Sequence, residues 1–386
     1  MRLLQPLSLP ADPTVMDSRR ALLSMLDGDA AYLPLPAAES EQSRRLSAAL
    51  AVGEPIDDDT VLVVSTSGTT GTPKGAMHTP DSLRASADAT AAVLGGPGSW
   101  LLALPPHHIA GLQVMLRSLA AGHDPVVIDM SAGFDPDALP AHIAAMTGDR
   151  RYTSLVPTQL RKALDHPAAV AALAELDAIL VGGAATGPAL LARALEAGLP
   201  IVRTYGMSET AGGCVYDGLP LPGVAVRIDD AGSDGVGRVH LGGPTLARGY
   251  RHLPDHPAFV EPGWFRTDDL GVVEDGVLRV VGRADEAISS GALTVVPQVV
   301  EAVIATLPAV ADCAVFGLPD ARLGEQVVAA LVPAPGSAAP TAAEIAELVT
   351  RRLDRYAAPR RVFVVDALPT RGPGKVDRRA LRASFS

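Results

Sequence analysis

The chain is poor in cysteine, in basic charge and in aromatic residues, and these shortages limit what it can be. Its 386 residues include only Cys214 and Cys313, which excludes a disulfide framework or a cysteine-based metal site and favours a reducing cytoplasm. Lys and Arg number 32 against 43 Asp and Glu, and the net charge of -11 disfavours nucleic acid and anionic membranes as partners. Aromatic residues make up 4%, so Ala, Gly, Val and Leu must build most of the core.

Long apolar runs are also missing. Residues 89–116 contain no Lys, Arg, Asp or Glu, but Gly95-Gly96-Pro97-Gly98 and Pro105-Pro106 interrupt them, and lipid would not tolerate two such breaks. The N-terminus has no continuous apolar run like that of a signal peptide. We expect a soluble protein without a membrane span, whose partners are small molecules; the sequence leaves a homodimer open.

The chain does contain a regular alternation of short apolar runs and amphipathic segments. Strands are predicted at 60–66, 101–104, 126–129, 153–156, 179–181 and 201–204. Helices are predicted at 109–120, 135–146, 157–164 and 188–197. A further helix is predicted after the first strand, with Thr79 as its cap, Pro80 in its first turn and Gly95 as its stop. This alternation predicts a parallel sheet covered by helices. Residues 1–58 are weakly patterned, with helices expected near 17–27 and 39–51.

The pattern changes after Gly206. Strand-like pieces at 224–228, 238–241, 269–273 and 277–281 predict a mostly antiparallel β subdomain, and a mixed α+β tail follows. The tail has predicted helices at 297–307 and 341–353 and strands at 314–317, 327–332 and 362–365. The predicted fold class is therefore α/β. A large N-terminal domain (1–281, with its β subdomain at about 219–281) has parallel sheets covered by helices, and a hinge at 282–286 leads to a small α+β C-terminal domain, 287–386.

The strongest local signal is the loop Ser65-Thr-Ser-Gly-Thr-Thr-Gly-Thr-Pro-Lys-Gly75, which the strand and helix predictions place in a strand–loop–helix unit. Backbone N–H groups, a row of hydroxyls and the ammonium of Lys74 are what phosphate oxygens require. The loop is not a Walker A motif, because Pro73 precedes Lys74 and Gly75 follows it. It predicts a phosphate site; the alternative is a flexible linker.

This loop resembles the phosphate-binding signature of the adenylate-forming superfamily, which includes acyl- and aryl-CoA ligases, luciferases and peptide-synthetase adenylation domains. The resemblance spans about residues 60–380, through five motifs in the superfamily's order. It implies a reaction in two steps. ATP first activates a carboxylate as an acyl-adenylate, and a thiol such as that of coenzyme A then takes the acyl group. It also implies a mobile C-terminal domain.

Several nucleotide-binding roles follow from the resemblance. Contacts with ATP phosphates fall to Thr66, Ser67, Gly68, Thr69, Thr70, Gly71 and Lys74. Gly182-Gly183-Ala184-Ala185 resembles the segment that cradles adenine.

A second motif, Tyr205-Gly-Met-Ser-Glu-Thr210, resembles the superfamily's Tyr-Gly-x-Thr-Glu. It implies that Tyr205, next to Gly206, stacks on adenine, that Ser208 contacts the α-phosphate, and that Glu209 holds Mg²⁺. One carboxylate together with triphosphate oxygens is a usual environment for that ion.

The next two motifs are one that precedes the predicted hinge and one that contains it. Trp264-Phe-Arg-Thr-Asp-Asp-Leu-Gly271 implies that Asp269 accepts hydrogen bonds from the ribose hydroxyls, although Asp268 stands where Gly is usual. Gly282-Arg-Ala-Asp-Glu-Ala-Ile288 implies that Arg283 approaches the ribose or phosphates and that Asp285 is the hinge residue. Ala292 replaces a usual glycine.

The last motif, Pro369-Thr-Arg-Gly-Pro-Gly-Lys-Val-Asp-Arg378, resembles the superfamily's catalytic-lysine loop. It assigns the stabilisation of charge during adenylate formation to Lys375. Taken alone, Lys375 would read as a surface lysine on a Gly/Pro-rich turn.

The acid substrate is the least determined feature. Pro105-Pro-His-His-Ile-Ala-Gly-Leu-Gln113 and Ser154-Leu-Val-Pro-Thr-Gln-Leu160 resemble the compact actinobacterial o-succinylbenzoate–CoA ligases of menaquinone biosynthesis. His108 would lie beside the reacting carboxylate, and Gln159 and Met207 are candidate substrate contacts. The second carboxylate would need a counter-charge, for which the candidates are Arg203, Arg117 and Arg161.

Three alternatives remain open. The chain could be a CoA ligase for another aryl or medium-chain acid, an adenylation domain that loads a carrier protein, or a nucleotide-binding regulator with an inactive site.

Overall fold

The computed structural model describes residues 2–66, 73–291, 293–371 and 375–385, apart from the side chains of Arg371 and Lys375. The chain divides into two compact units, one comprising 1–226 and 240–266 and the other 227–239 and 267–386. The hinge at 282–286 and its flanking domain bounds stay predictions. Across the described ranges, no helix combines the length and the apolar character that crossing a membrane would require.

The first unit begins with a five-stranded sheet in the order β3-β1-β2-β4-β5. The elements of this region are β1 (Arg2–Leu9), α1 (Arg19–Asp27), β2 (Ala31–Pro36), α2 (Glu41–Ala49), β3 (Pro55–Ile56), β4 (Leu62–Ser65), β5 (Gly75–His78) and α3 (Pro80–Leu94). The helices expected near 17–27 and 39–51 are confirmed as α1 and α2. The parallel pair β1 and β2 was not predicted, because three prolines among their residues weaken the strand signal.

The surroundings of the predicted phosphate loop differ from expectation in one respect. The loop does not lead directly into a helix, so the predicted strand–loop–helix unit is wrong. β5 intervenes and pairs antiparallel with β4, with Ser65 opposite Gly75. The partner of this four-residue strand lies on the other side of the loop, so no local sequence pattern predicts the strand.

Helix α3 matches its predicted capping. Thr79 accepts a hydrogen bond from the Ser82 N–H in a capping box, Pro80 occupies the first turn, and Gly95 ends the helix in the left-handed region at φ 91°. These residues satisfy backbone groups that the helix ends would otherwise leave unpaired.

A seven-stranded sheet follows, in the order β12-β11-β10-β9-β8-β6-β7. Its region comprises β6 (Ser99–Leu102), α4 (Ile109–Ala120), β7 (Val126–Val127), α5 (Leu139–Ala144), β8 (Arg151–Leu155), α6 (Pro157–Leu164), α7 (Pro167–Leu173), β9 (Ala178–Val181), α8 (Pro188–Glu196), β10 (Ile201–Met207), β11 (Gly212–Tyr216) and β12 (Leu219–Pro220). β6 to β10 pair in parallel, which confirms the predicted parallel sheet. β11 and β12 extend it antiparallel beyond the predicted last strand.

The two sheets share a core with the helices that follow them. Leu22 of α1, Leu83 of α3 and Leu116 of α4 are fully buried in one apolar cluster with residues of both sheets. Burial on this scale is the main stabilising term of such an architecture.

A four-stranded sheet comes next, in the order β13-β14-β15-β16. Its strands are β13 (Ala225–Asp229), β14 (Gly237–Gly242), β15 (Trp264–Glu274) and β16 (Val277–Arg283). β15 and β16 form an antiparallel pair that sets Asp269 opposite Arg283. The four strands predicted at 224–228, 238–241, 269–273 and 277–281 are confirmed, whereas the bounds of the β subdomain, about 219–281, stay a prediction.

An α+β layer follows this sheet in the chain and lies within the second unit. It contains β17 (Ile288–Ser290), β18 (Leu293–Val295), α9 (Pro297–Ile304), β19 (Val310–Asp320), β20 (Gly324–Pro333), α10 (Ala342–Arg352), β21 (Arg361–Val364), β22 (Thr370–Arg371), β23 (Lys375–Val376) and α11 (Arg378–Phe385). Alternate residues of β19 and β20 face opposite sides. One side packs on α9 and α10, and the other on α11.

Candidate functional site

The base of the predicted phosphate loop is closed by backbone hydrogen bonds. Beyond the pair Ser65 and Gly75, the Thr66 N–H donates to the Lys74 carbonyl at 2.9 Å. The Thr66 hydroxyl is buried and has no hydrogen-bond partner in the described part of the chain. Ser67, Gly68, Thr69, Thr70 and Gly71 lie outside the described residues. An unsatisfied hydroxyl at the mouth of a loop that ends in a lysine suits an anionic ligand.

Ser208 joins the phosphate loop to the motif Tyr205–Thr210, whose tyrosine is predicted to stack on adenine. The Ser208 hydroxyl donates to the Ser65 carbonyl at 3.1 Å, across 143 sequence positions. The Ser208 carbonyl accepts a hydrogen bond from Nε2 of His78 at 2.7 Å. Both strands that flank the loop therefore hold the same serine, and the two motifs are in direct contact.

The same contact constrains the predicted role of Ser208. A hydroxyl has one proton, and here the backbone of Ser65 accepts it. To donate to an α-phosphate, Ser208 would have to release that carbonyl.

His78 is a site residue that the sequence did not reveal. Its ring is fully buried, with Nδ1 3.1 Å from the Ser82 hydroxyl and Nε2 on Ser208. Burial lowers the pKa of His78 to about 4, so the ring is neutral at pH 7.

Glu209 is placed by contacts with Tyr250 and Ala247. Only 7% of Glu209 is exposed, and its Oε1 accepts a hydrogen bond from the Tyr250 hydroxyl at 2.5 Å. Its carbonyl accepts from the Ala247 N–H at 2.8 Å. Lys74 lies over the ring of Tyr250, with Nζ 4.8 Å from the ring centre. Tyr250, which was not predicted, thus connects the loop lysine to the predicted magnesium ligand.

Two glycines allow the close backbone approaches of the nucleotide motifs. A Cβ on Gly206 would lie 2.1 Å from the Gly212 carbonyl oxygen, and one on Gly182 would lie 2.3 Å from Oγ1 of Thr204. Since β9 and β10 are parallel neighbours, the turn at Gly182, Gly183 and Ala184 follows β9 beside the strand that carries Tyr205. The predicted adenine segment and the predicted stacking residue are therefore on adjacent strands.

The predicted carboxylate-binding residue His108 lies immediately before α4, as its N-cap residue. Its ring contacts that of His107, with ring centres 4.4 Å apart. Burial, helped by the charge of His108, lowers the pKa of His107 to about 4. A Cβ on Gly111 would lie 2.3 Å from the Pro105 carbonyl oxygen, so the first turn of α4 packs tightly on the loop that carries both histidines.

The other predicted substrate contacts are mostly occupied by protein partners. Oε1 of Gln159 accepts from the Val156 N–H at 2.9 Å, and its Nε2 donates to the Ala103 carbonyl at 2.6 Å. Arg203 forms a half-exposed ion pair with Asp217 at 2.9 Å. These contacts give Gln159 and Arg203 structural roles, and their substrate contacts stay predictions.

Two further substrate candidates are partly or fully buried. Met207 is partly buried against the core that the two sheets share. Arg117 is 7% exposed, donates to the Ser86 hydroxyl at 3.3 Å and lies over the ring of Trp100. Arg117 has no carboxylate within ion-pair distance among the described residues.

In the second unit, a cluster of charges surrounds the predicted ribose contact. Asp269 is 7% exposed and lies 3.4 Å from Nη1 of Arg283, which also holds Asp285 through two hydrogen bonds of 2.8 Å. Burial alone would lower the pKa of Arg283, but the hydrogen bond to Asp285 and the nearby carboxylates raise it. The unusual Asp268 pairs with Arg238 at 3.3 Å, so its extra charge is balanced locally.

The predicted catalytic lysine lies in a short hairpin. β22 and β23 place Lys375 opposite Arg371. Directly after β23, Arg378 bridges Glu286 at 2.7 Å and Glu301 at 2.5 Å, which ties the hairpin to the predicted hinge segment within this unit.

Metal ligation by protein alone is not supported in the described ranges, where no group of three or more His, Cys, Asp or Glu side chains could hold an ion. A magnesium ion at Glu209 would therefore take most of its oxygens from a ligand.

Two family models match this chain. Residues 8–251 match the family model described as AMP-binding enzyme, and 299–375 match the AMP-binding enzyme C-terminal domain. The chain is 55% identical, over 99% of both chains, to a probable 2-succinylbenzoate–CoA ligase of Mycobacterium tuberculosis. It is 34% identical to a feruloyl-CoA synthase of Amycolatopsis, over 85% of this chain and 70% of the relative.

A solved structure is also similar. The o-succinylbenzoate CoA synthetase of Bacillus subtilis, in complex with its acyl-adenylate intermediate, superposes with a TM-score of 0.82 at 25% identity. The match covers 99% of this chain and 89% of that one.

Proposed function

We propose, because this chain belongs to the family of AMP-binding enzymes, that it is an ATP-dependent acid–CoA ligase. It forms an acyl-adenylate and then transfers the acyl group to coenzyme A. The observation that supports this most directly is the double contact of Ser208 with Ser65 and His78, which joins the phosphate loop to the adenine motif. Two buried free thiols suit the cytoplasm as its location.

In the first step the substrate carboxylate attacks the α-phosphorus of ATP and pyrophosphate leaves. Negative charge develops on the phosphate oxygens, so fixed cations and N–H donors are the main catalytic requirement. Lys74 and the loop bind the phosphates, Tyr205 stacks on adenine, and Lys375 stabilises the developing charge. Glu209 would hold a magnesium ion, which neutralises phosphate charge when bound.

In the second step a thiol attacks the acyl-adenylate carbonyl. Lys375 has no role in this step, and rotation about Asp285 withdraws it so that the thiol can approach. Arg283 and Asp285, which are joined by two hydrogen bonds, both belong to the segment in which the rotation takes place.

The acid that we propose is 2-succinylbenzoate, which makes the product an intermediate of menaquinone biosynthesis. The name and the full-length similarity of the mycobacterial relative support it, as does the His107-His108 turn at the start of α4. Of the candidate counter-charges, Arg117 is buried without a nearby carboxylate among the described residues, whereas Arg203 is paired with Asp217. Another aromatic acid is the alternative, which the similarity to a feruloyl-CoA synthase favours.

Pyrophosphate release with a panel of carboxylic acids, with and without coenzyme A, tests both levels of the proposal. We expect release with 2-succinylbenzoate and a thioester product only when coenzyme A is present. If pyrophosphate is released with other aromatic acids but not with 2-succinylbenzoate, the proposed substrate is wrong and the proposed reaction stands. If no acid causes pyrophosphate release, the proposed ligase activity is refuted.

A variant separates the two steps. Lys375→Ala should lose adenylate formation yet convert preformed acyl-adenylate to thioester at a rate close to that of the wild type. Equal loss of both half-reactions would contradict the role of Lys375.

A further inference from the structure

Two hydrogen-bond donors face each other beside the phosphate loop. Nζ of Lys74 lies 3.5 Å from Nε2 of His256. Nδ1 of His256 accepts a hydrogen bond from the Ala258 N–H at 3.2 Å, where the histidine caps a short 3-10 turn. A backbone N–H can only donate, so Nδ1 carries no proton and the neutral ring carries its proton on Nε2. Both facing atoms are therefore donors.

The position of Lys74 suits an acceptor that both donors share. Its ammonium is above the ring of Tyr250, and within the described ranges no carboxylate lies within ion-pair distance of it. An anionic acceptor placed beside both atoms would receive one hydrogen bond from each, and both bonds would be charge-assisted.

Tyr250 fixes the positions of both donors relative to Glu209. The edge of the Tyr250 ring contacts His256, with ring centres 4.7 Å apart and planes at 80°. Its hydroxyl donates to Glu209 at 2.5 Å. One buried tyrosine thus supports a cation, a neutral N–H donor and a carboxylate at the mouth of the loop, which is the combination that a magnesium-bound polyphosphate requires.

We propose that Nε2 of His256 and Nζ of Lys74 bind the same group of ATP, the pyrophosphate that leaves in the first step. This inference rests on the proposed function. The α-phosphate already has Lys375 assigned to it, whereas the departing group gains the most charge and needs further donors. His256 is accordingly a specificity residue for the triphosphate, and AMP does not reach it.

A pair of variants isolates the Nε2 donor. His256→Asn keeps a side-chain acceptor for the Ala258 N–H and removes the distal donor, whereas His256→Gln can present an amide N–H near the position of Nε2. Calorimetry on the intact protein should show that His256→Asn weakens magnesium pyrophosphate and ATP binding about 10- to 100-fold, as expected for a hydrogen bond to a charged group. AMP affinity should not change, and His256→Gln should recover part of the loss.

The wild-type protein provides a test that does not depend on folding of the variants. The ¹⁵N resonance of His256 Nε2 should shift on addition of magnesium pyrophosphate but not of AMP. Unchanged pyrophosphate affinity in His256→Asn, or equal losses for AMP and pyrophosphate, would overturn the assignment while leaving the ligase intact. Failure of the wild type to bind ATP and pyrophosphate would overturn both.

Discussion

Arg378 provides the most stringent test of how the second unit is held together. Its Nη1 contacts Glu286 at 2.7 Å, its Nη2 contacts Glu301 at 2.5 Å, and its Nε donates to the Val315 carbonyl at 3.1 Å. The exposed side-chain fractions of Arg378, Glu286 and Glu301 are 15%, 19% and 17%, so water compensates little for a missing partner. Removing the arginine would leave two carboxylates facing one another in a poorly solvated space.

The substitution Arg378→Met keeps much of the side-chain length and removes the charge. Breaking a buried pair by deleting one partner costs about 3–5 kcal/mol, and we expect the free energy of unfolding of the second unit to fall by that amount at pH 7. Burial raises the pKa of Glu301, while the charge of Arg378 opposes the rise. Without the arginine this pKa rises further, and the folded unit then binds a proton more tightly than the unfolded chain. The destabilisation should therefore shrink as the pH falls from 7 to 5.

Trp100 and Trp264 both lie outside this unit, so tryptophan fluorescence would not report on its unfolding. The suitable assay is hydrogen exchange, measured by mass spectrometry on peptides of β19 and β20. The matched control is Arg382→Met, which removes a pair with Glu325 whose arginine is 48% exposed. The free energy of unfolding should fall by less than about 1 kcal/mol in this control. Adding Glu301→Gln to Arg378→Met should restore part of the stability. If the Arg378 and Arg382 variants lose equal protection, or the loss is independent of pH, the reasoning is refuted.

Two further predictions concern the first unit. Gly206→Ala should slow adenylate formation and lower the free energy of unfolding by about 1–3 kcal/mol, measured as a lower melting temperature, because its Cβ would overlap the Gly212 carbonyl. Gly187→Ala, where a Cβ meets nothing within 4 Å, is the control, and equal effects would contradict the close-approach argument. Since the pKa of His78 falls to about 4 in the folded chain, its contribution to stability is present above pH 6.5 and lost as the pH falls towards 4, by about 3 kcal/mol in total. His78→Gln should flatten denaturation midpoints measured between pH 7 and pH 4, and an unchanged pH profile would argue against this titration.

The parts of the fold that the sequence predicted well are those that local chemistry specifies. Helices α4 and α6 begin and end at the predicted residues, and the Thr79 cap and Gly95 stop of α3 act through hydrogen bonds within a few positions. The motif order likewise predicted which segments carry the candidate site. Capping, periodicity and loop composition all operate over distances that a sequence pattern can display.

The missed features depend on contacts between distant positions. β5 is four residues long and is defined by its pairing with β4 across the loop. The bond between His78 and Ser208 joins positions 130 apart, and Tyr250 reaches Glu209 across 41. A buried histidine and a buried tyrosine carry no signal of their partners, so the sequence could name the loop and Glu209 but not the residues that hold them.

The charge cluster around Asp269 limits how the predicted hinge can work. Arg283 donates two hydrogen bonds to Asp285 and also lies near Asp269, so a guanidinium assigned to the nucleotide is already bound to the residue assigned to the rotation. A bidentate pair has a fixed geometry, and a change in the backbone torsions of Asp285 must either carry Arg283 along or break the pair. Breaking it would free donors for ribose or phosphate oxygens in only one of the two conformations. In the mechanism that we propose, the rotation and the binding of the nucleotide are therefore coupled through this pair, and Asp285→Asn, which weakens it without removing the side chain, should alter both half-reactions where Lys375→Ala alters one.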